Sequence, residues 1–275
     1  MTNLNKEIKA LEKAFEAFIY KKTELQFRVF QKEMAHLNVY NTAESMIIER
    51  KIIPTIDLVE SFFTHSLKKY SSPGPSPETD FRYELKYYIG HFSSALSNLA
   101  VKDRKKDIIN LRVGNFEKQI NNLGCFLRNV NVKINGDVGN RTGMSMKSGN
   151  LIIEGNVGNY LGTRMNNGKI EIHGNVGDYF GDSMHGGEIE IFGNAGDVGG
   201  HNMKNGLIKV HGKAGGGIGT FMDDGVIHLD VGCEDVSSAR WGGKIYRKGI
   251  RVRQKIFEGP RYFEDFIKTL NKKGN

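Results

Sequence analysis

Between Gly136 and Gly232 the apolar positions of the chain keep a strict rhythm. Paired aliphatic residues, Leu151/Ile153, Ile170/Ile172, Ile189/Ile191, Ile208/Val210 and Ile227/Leu229, return at every nineteenth position, each pair with one residue between its members. Period-two alternation predicts a short strand with one face inward and one face outward. Between the strands each unit holds at least four glycines. A helix interior loses about 1 kcal/mol per glycine relative to alanine, so these stretches are turns. The unit reads G-x-[VA]-G-x-x-x-G-x-x-M-x-x-G-x-[LI]-x-[IVL]-x. It runs without gaps from GDVGNRTGMSMKSGNLIIE to GKAGGGIGTFMDDGVIHLD. A fixed period of this length marks one structural unit per repeat, stacked as a solenoid. The predicted architecture is a single-stranded parallel β-helix with coils ~4.8 Å apart and right-handed crossovers.

Upstream the rhythm changes to three and four. Leu4, Ile8, Leu11, Phe15, Phe18, Leu25 and Val29 form a helical stripe within positions 1–39. Asn41-Thr42-Ala43-Glu44 has the form of a capping box opening a helix to Ile53. Pro54 restarts the chain into a stripe of Ile56, Val59, Phe62, Phe63 and Leu67. The Pro/Ser/Gly break from Ser71 to Asp80 precedes a further helix from Phe81 to about Ala100. The predicted fold is therefore α+β in two parts. An α-helical domain (1–107) leads into the β-helix (108–258), and residues 259–275 form a C-terminal helix or tail starting at Pro260. Shifting the repeat back by one period puts Leu127 in the methionine slot and Val132/Ile134 in the strand slots, so 117–135 reads as a degenerate first coil. Trp241, one period beyond Met222, is expected to close the far end of the core.

The columns of the repeat carry separate expectations. Met146, Met165, Met184, Met203 and Met222 share one slot and are read as an interior column, because a thioether fills irregular space. A soft-metal site would also recruit Cys or His. Asp137, Asn156, Asn175 and Asn194 follow the leading glycine and suit a left-handed turn with side-chain to backbone bonds. Gly139, Gly158, Gly177, Gly196 and Gly215 are expected to supply positive φ or close approach between coils. The segment GNVGNYLG mimics a dinucleotide fingerprint, but no helix pattern follows it and it recurs along the array.

Charge divides the chain unevenly. Of the net +8, residues 240–275 hold 11 basic and 3 acidic side chains, while 111–239 hold 11 basic and 14 acidic. The run KIYRKGIRVRQK alternates cations with apolar residues, as a charged edge strand or a contact between subunits does. The alternative is a partner or nucleic-acid contact through Arg247, Lys248, Arg251, Arg253 and Lys255. Cys125 and Cys233 have neither metal spacing nor a disulfide framework. With no signal-like or membrane-spanning run, the expectation is a cytoplasmic protein with no membrane association.

The sequence has no HExxH, CxxC, nucleophile elbow or P-loop lysine. His173 and His211 share a slot two coils apart with Phe192 between them, ~10 Å of separation, too far for one metal. His185 and His201 lie in different turns within reach of Asp182 or Asp197. Asp223-Asp224 is read as a turn pair. No catalytic, cofactor-binding or metal residue is assigned.

The units GNVGDYFGDSMHGGEIEIFGNAGD and GNVGNYLGTRMNNGKIEIHG resemble two related β-helical domains. One is the β-helical subunit of formylmethanofuran dehydrogenase, and the other is the C-terminal domain of the glutamate synthase large subunit. The resemblance covers about positions 108–255. It implies a right-handed β-helix that is a non-catalytic structural part of an oxidoreductase-type complex, with other proteins of that complex as partners and no cofactor of its own. The helical part ahead of that span matches neither family. It carries the further expectation of self-association through the N-terminal helices. The alternative function is a protein- or nucleic-acid-binding adaptor acting through the helical domain and the basic tail.

Overall fold

A computed structural model describes residues 3–25, 41, 43–45, 47–48, 56–70, 81–100, 108–113, 120–236 and 242–252. Among the described residues the helices α1 (Asn3–Leu25), α2 (Ile56–Tyr70) and α3 (Phe81–Ala100) precede the strands, and residues 41, 43–45 and 47–48 are also helical. The helical stripes meet on aromatic rings. Phe15 of α1, Phe62 of α2 and Phe92 of α3 are fully buried, with ring centroids 5.2 to 6.0 Å apart. The linker at 101–107, Trp241 and the C-terminal segment from 253 lie outside the described residues.

The rest is a parallel β-solenoid. Its main sheet has nine strands in the order β1 (Ile109–Arg112), β2 (Val130–Asn135), β3 (Gly149–Glu154), β4 (Lys169–Ile172), β5 (Glu188–Ile191), β6 (Leu207–Val210), β8 (Val226–Leu229), β10 (Lys244–Arg247) and β11 (Ile250–Val252). Strands β7 (Lys213–Ala214) and β9 (Gly232–Cys233) pair on a second face, where Val138, Val157, Val176, Ala195 and Ala214 also bridge in sequence. Ile170 lies beside Ile189, Ile189 beside Ile208 and Ile208 beside Ile227, so the repeat stacks in register. The register departs from the repeat at both ends. Ile109 pairs with Val132, and Val226 pairs with Lys244. Leu127, in the methionine slot of the first coil, is fully buried.

Two columns of apolar side chains lock one coil to the next. All five repeat methionines are 0% exposed. Met184 sends its terminal methyl under a glycine of the following coil: a Cβ on Gly206 would sit 2.7 Å from Met184 Cε. Met146, Met165 and Met203 meet Gly168, Gly187 and Gly225 in the same way. Isoleucines do so in the opposite sense, and a Cβ on Gly181 would meet Ile208 Cδ1 at 2.5 Å. Gly206 and Gly181 both have positive φ, 106° and 67°.

The left-handed residues are not where the residue types place them. Asp137, Asn156, Asn175 and Asn194 are absent from the positive-φ set, as are Gly139, Gly158, Gly177, Gly196 and Gly215. The Asx column works between coils instead. Asn156 Oδ1 accepts from Asn175 N at 2.9 Å and Asn175 Oδ1 from Asn194 N at 2.8 Å, each one full repeat along the chain. Gly158 and Gly177 give close approach, since a Cβ on either would fall onto the side-chain oxygen of Asn140 or Asn159. Positive φ instead marks alternate residues of each turn, as in Tyr179 (59°), Gly181 (67°) and Ser183 (53°), with the same triplet at Val198 (60°), Gly200 (69°) and Asn202 (50°). This alternation directs N–H groups along the solenoid axis. Tyr179 N donates forward to Asp197 O, Gly181 N back to Leu161 O, and Ser183 N forward to His201 O, at 2.7 to 2.9 Å. Left-handed backbone costs a non-glycine residue about 1–2 kcal/mol. These inter-coil bonds hold it in place, because an unpaired buried amide costs as much or more.

The helices cover the first edge of the sheet. Gly90 of α3 touches the coil so closely that a Cβ would fall onto the Asn121 carbonyl oxygen. Asn98 donates from Nδ2 to Phe126 O at 3.0 Å and accepts from Arg128 N at 2.9 Å. Glu60 of α2 accepts from Asn110 N of β1 at 2.7 Å. An open strand edge is thereby blunted by helix side chains, and one continuous apolar core runs from Leu11 to Ile245.

Two substitutions test this packing. Met184→Leu conserves volume and is expected to cost under about 1.5 kcal/mol, while Met184→Ala costs about 2–5 kcal/mol in denaturant unfolding. Val198→Asn, placing a residue tolerant of left-handed backbone at a β-branched outlier, is expected to raise stability by about 0.5–1 kcal/mol in the same measurement.

Candidate functional site

On the outer face of the nine-stranded sheet, side chains from successive coils meet because the register keeps each above its counterpart. Lys169, Glu188, Leu207, Val226 and Lys244 form one row, and Ile152, Glu171, Glu190, Lys209, His228 and Tyr246 another. A third row, at or just beyond the strand ends, holds Glu154, His173, Phe192, His211 and Asp230, each one repeat from the next.

The middle coils carry a connected ionic network. Lys169 Nζ lies 2.5 Å from Glu190, 3.2 Å from Glu171 and 4.0 Å from Glu188. Lys209 pairs with Glu188 at 2.9 Å and Lys133 with Glu154 at 2.8 Å. The hydrogen bond to Glu190 raises the Lys169 pKa, and that same bond lowers the Glu190 pKa. The bond to His173 is the main cause holding Glu171 below the ordinary carboxylate range. Half-exposed pairs of this kind contribute little singly, about 0–1 kcal/mol each.

Phe192 is the aromatic centre of the third row. It is 44% exposed, and the rings of His173 and His211 stack on its two faces with centroids 4.9 and 4.8 Å away. His211 Nδ1 lies 2.7 Å from Asp230 and Nε2 lies 3.2 Å from Glu190. Only imidazolium donates from both nitrogens. Burial opposes that charge, but the bonds to Asp230 and Glu190 outweigh it, and the His211 pKa is raised. His173 contacts Glu171 at 2.9 Å and Glu154 at 3.8 Å. The two histidines are thus anchored by carboxylates around a phenyl ring, and they face no common metal position.

The turns hold a second pairing. His201 Nδ1 lies 2.7 Å from Asp182 Oδ1, and its ring stands edge-on to Tyr179 and Phe221 at 6.1 and 6.0 Å. Ser183 Oγ also donates to Asp182, at 3.4 Å, so this hydroxyl is not bound to the imidazole as a nucleophile would be. Asp223 accepts from Lys204 at 2.8 Å, and Asp224 accepts from Gly225 N, which makes the acidic pair a structural turn. Both cysteines are free and buried, and burial pushes their thiol pKa values up. That is the opposite of an activated thiolate.

The cationic residues singled out in the sequence separate in space. Arg247, at the end of β10, donates from Nη2 to Cys233 O at 3.0 Å and so ties the last coil together. Lys248 sits in the hairpin turn with φ 49°, and Arg251 lies in β11 opposite Tyr246. Arg253 and Lys255 lie outside the described residues. Tyr246 itself, stacked on His228 at 4.7 Å with 11° between the rings, escaped the sequence reading. Its offset from His228 is one short of the repeat, which hides the pairing. A second ladder, Asn121, Asn140, Asn159, Asp178 and Asp197, was also missed. It was open to reading from the repeat alone, because one member recurs in each coil as far as Asp197.

Among the described residues no group of three or more His, Cys, Asp or Glu could hold a metal ion. Among them, too, no helix is long and apolar enough to cross a membrane. No family model and no curated protein matches the chain.

The bridged imidazolium gives a pH signature. A raised folded-state pKa means that His211 stabilises the protein fully below the ordinary histidine value of about 6.5, and that this contribution fades as pH rises through the folded value. The melting-temperature difference between the wild type and His211→Gln is therefore expected to be largest near about pH 6 and to shrink as the pH rises through the folded value.

Proposed function

We propose that the chain is a structural subunit of a multi-protein complex, a rigid spacer that positions other subunits rather than a catalyst. The observation that carries this reading is how the repeat uses its polar groups. Side-chain amides and carboxylates of the turns accept backbone N–H bonds from neighbouring coils, from Asn140 through Asp197 and from Asp137 through Asn194. Histidines and acids of the sheet face are bonded to one another. Groups spent in this way stiffen a rod and are not poised to act on a substrate.

The resemblance of the repeat to the β-helical subunit of formylmethanofuran dehydrogenase and to the C-terminal domain of the glutamate synthase large subunit supports an oxidoreductase-type assembly. On the same ground we read the coils as right-handed, and from the two unbridged cysteines we read the setting as the cytoplasm. The helical segment, which that resemblance does not cover, packs against the first coil through Asn98 and Glu60. It thereby gives the rod one closed end.

Affinity purification of the tagged chain at its native expression level, with the mass of the whole particle and mass spectrometry of its components, tests this reading. The expected result is one or more other proteins at a fixed ratio, with a redox or amidotransferase enzyme among them. Recovery of the chain alone, or turnover of a substrate by the isolated chain, overturns it.

A further inference from the structure

The outer sheet face changes character at its C-terminal end. In the middle coils Lys169 and Lys209 each have a carboxylate within 4.0 Å. At β10 and β11 this stops. Lys244, Lys248 and Arg251 are all exposed, and the ion pairs of the last coils, such as Lys213 with Glu234 and His211 with Asp230, include none of the three among the described residues. Residues 240–252 include five cationic side chains and no acidic one. The strand geometry arranges three of them around an aromatic pair. Lys244 and Tyr246 flank Ile245, which is fully buried, so the two share the outer side. Arg251 pairs with Tyr246 across the hairpin and lies on that side too. Lys248 stands in the turn that joins the two strands. Arg247 is occupied by the Cys233 carbonyl.

We propose that this end of the sheet, formed by Lys244, Tyr246, Lys248 and Arg251 with His228 beneath the tyrosine, binds single-stranded nucleic acid. Cations without a carboxylate partner among the described residues suit a phosphate backbone, and their attraction is released as salt rises. An aromatic side chain set among the cations adds base stacking, which is a feature of sequence-tolerant single-strand binders. An acidic peptide would use the cations but has no base to stack on the ring. That difference decides between the two polyanions. The surface is separate from the ionic network of the middle coils, and the inference holds whether or not the solenoid serves as a spacer.

The test is fluorescence anisotropy of the full chain with a labelled oligothymidylate, long enough to cover the hairpin, at several salt concentrations. Binding is expected at about 50 mM salt and should weaken steeply by about 200 mM. Replacing Lys244, Lys248 and Arg251 together by Ala is expected to weaken binding at least about tenfold. It should also lower the slope of log K against log salt by about 2, since each phosphate contact on a single strand contributes about 0.7. The three positions are exposed, so the variant should keep the wild-type melting temperature. Tyr246→Leu should weaken binding about fivefold or more with the slope unchanged. Arg247→Met should lower the melting temperature and leave the slope alone. No binding at low salt, an unchanged slope in the triple variant, or equal displacement by polyglutamate of matched charge would each overturn the proposal.

Discussion

Everything in this solenoid depends on one constraint, that each residue sits over its counterpart one repeat further on. An isolated coil has no core and cannot satisfy its own backbone. Many of its N–H groups find acceptors in the coils before and after, as those of Tyr179 and Gly181 do. Its methionine fills space that exists only beneath the next coil's glycine. The stability of such an array resides in the contacts between neighbours. That is why Gly, Met, Ile and Asn recur in columns. Each column solves the same packing or bonding problem at every step.

This explains what could be read in advance. The strands, the interior methionines and the helices at 56–70 and 81–100 were legible, because burial periodicity is imposed directly on residue type. The left-handed positions were not. Arg141, Tyr160, Tyr179 and Val198 share φ near 60°, and nothing in their side chains announces it. The neighbouring coils impose that backbone, and local preference is overruled. The Asn ladder was half legible for the complementary reason: its side-chain to backbone bonds were expected and are present, while the left-handed backbone is not. Asn is favoured both in left-handed turns and in stacked amide rows, and only the stacking decides which applies.

The candidate sites were partly legible for the same reasons. The separation of His173 and His211 by Phe192 follows from the repeat, and the rings do stack in that order. The approach of His201 to Asp182 likewise follows from their spacing of one repeat. The grouping of Tyr246 with His228 depends on a coil one residue short, and the diversion of Arg247 to Cys233 depends on where the chain turns after the last full repeat. Both lie where the period breaks, and there pattern alone loses its hold.

The register also sets how such a protein can change in length. Removing positions 174–192, one whole repeat, would bring coils with matching columns into contact, so Met165 would still lie beneath a glycine and Asn156 would still face an Asx partner. A deletion one residue shorter or longer in the same region would set methionines against turns and acids against apolar strands. The rod is therefore quantised: it can lengthen or shorten in steps of one coil, ~4.8 Å each, and the helices packed at Gly90 and Asn98 confine that freedom to the interior. Whatever distance the protein spans, it can be retuned only by whole coils.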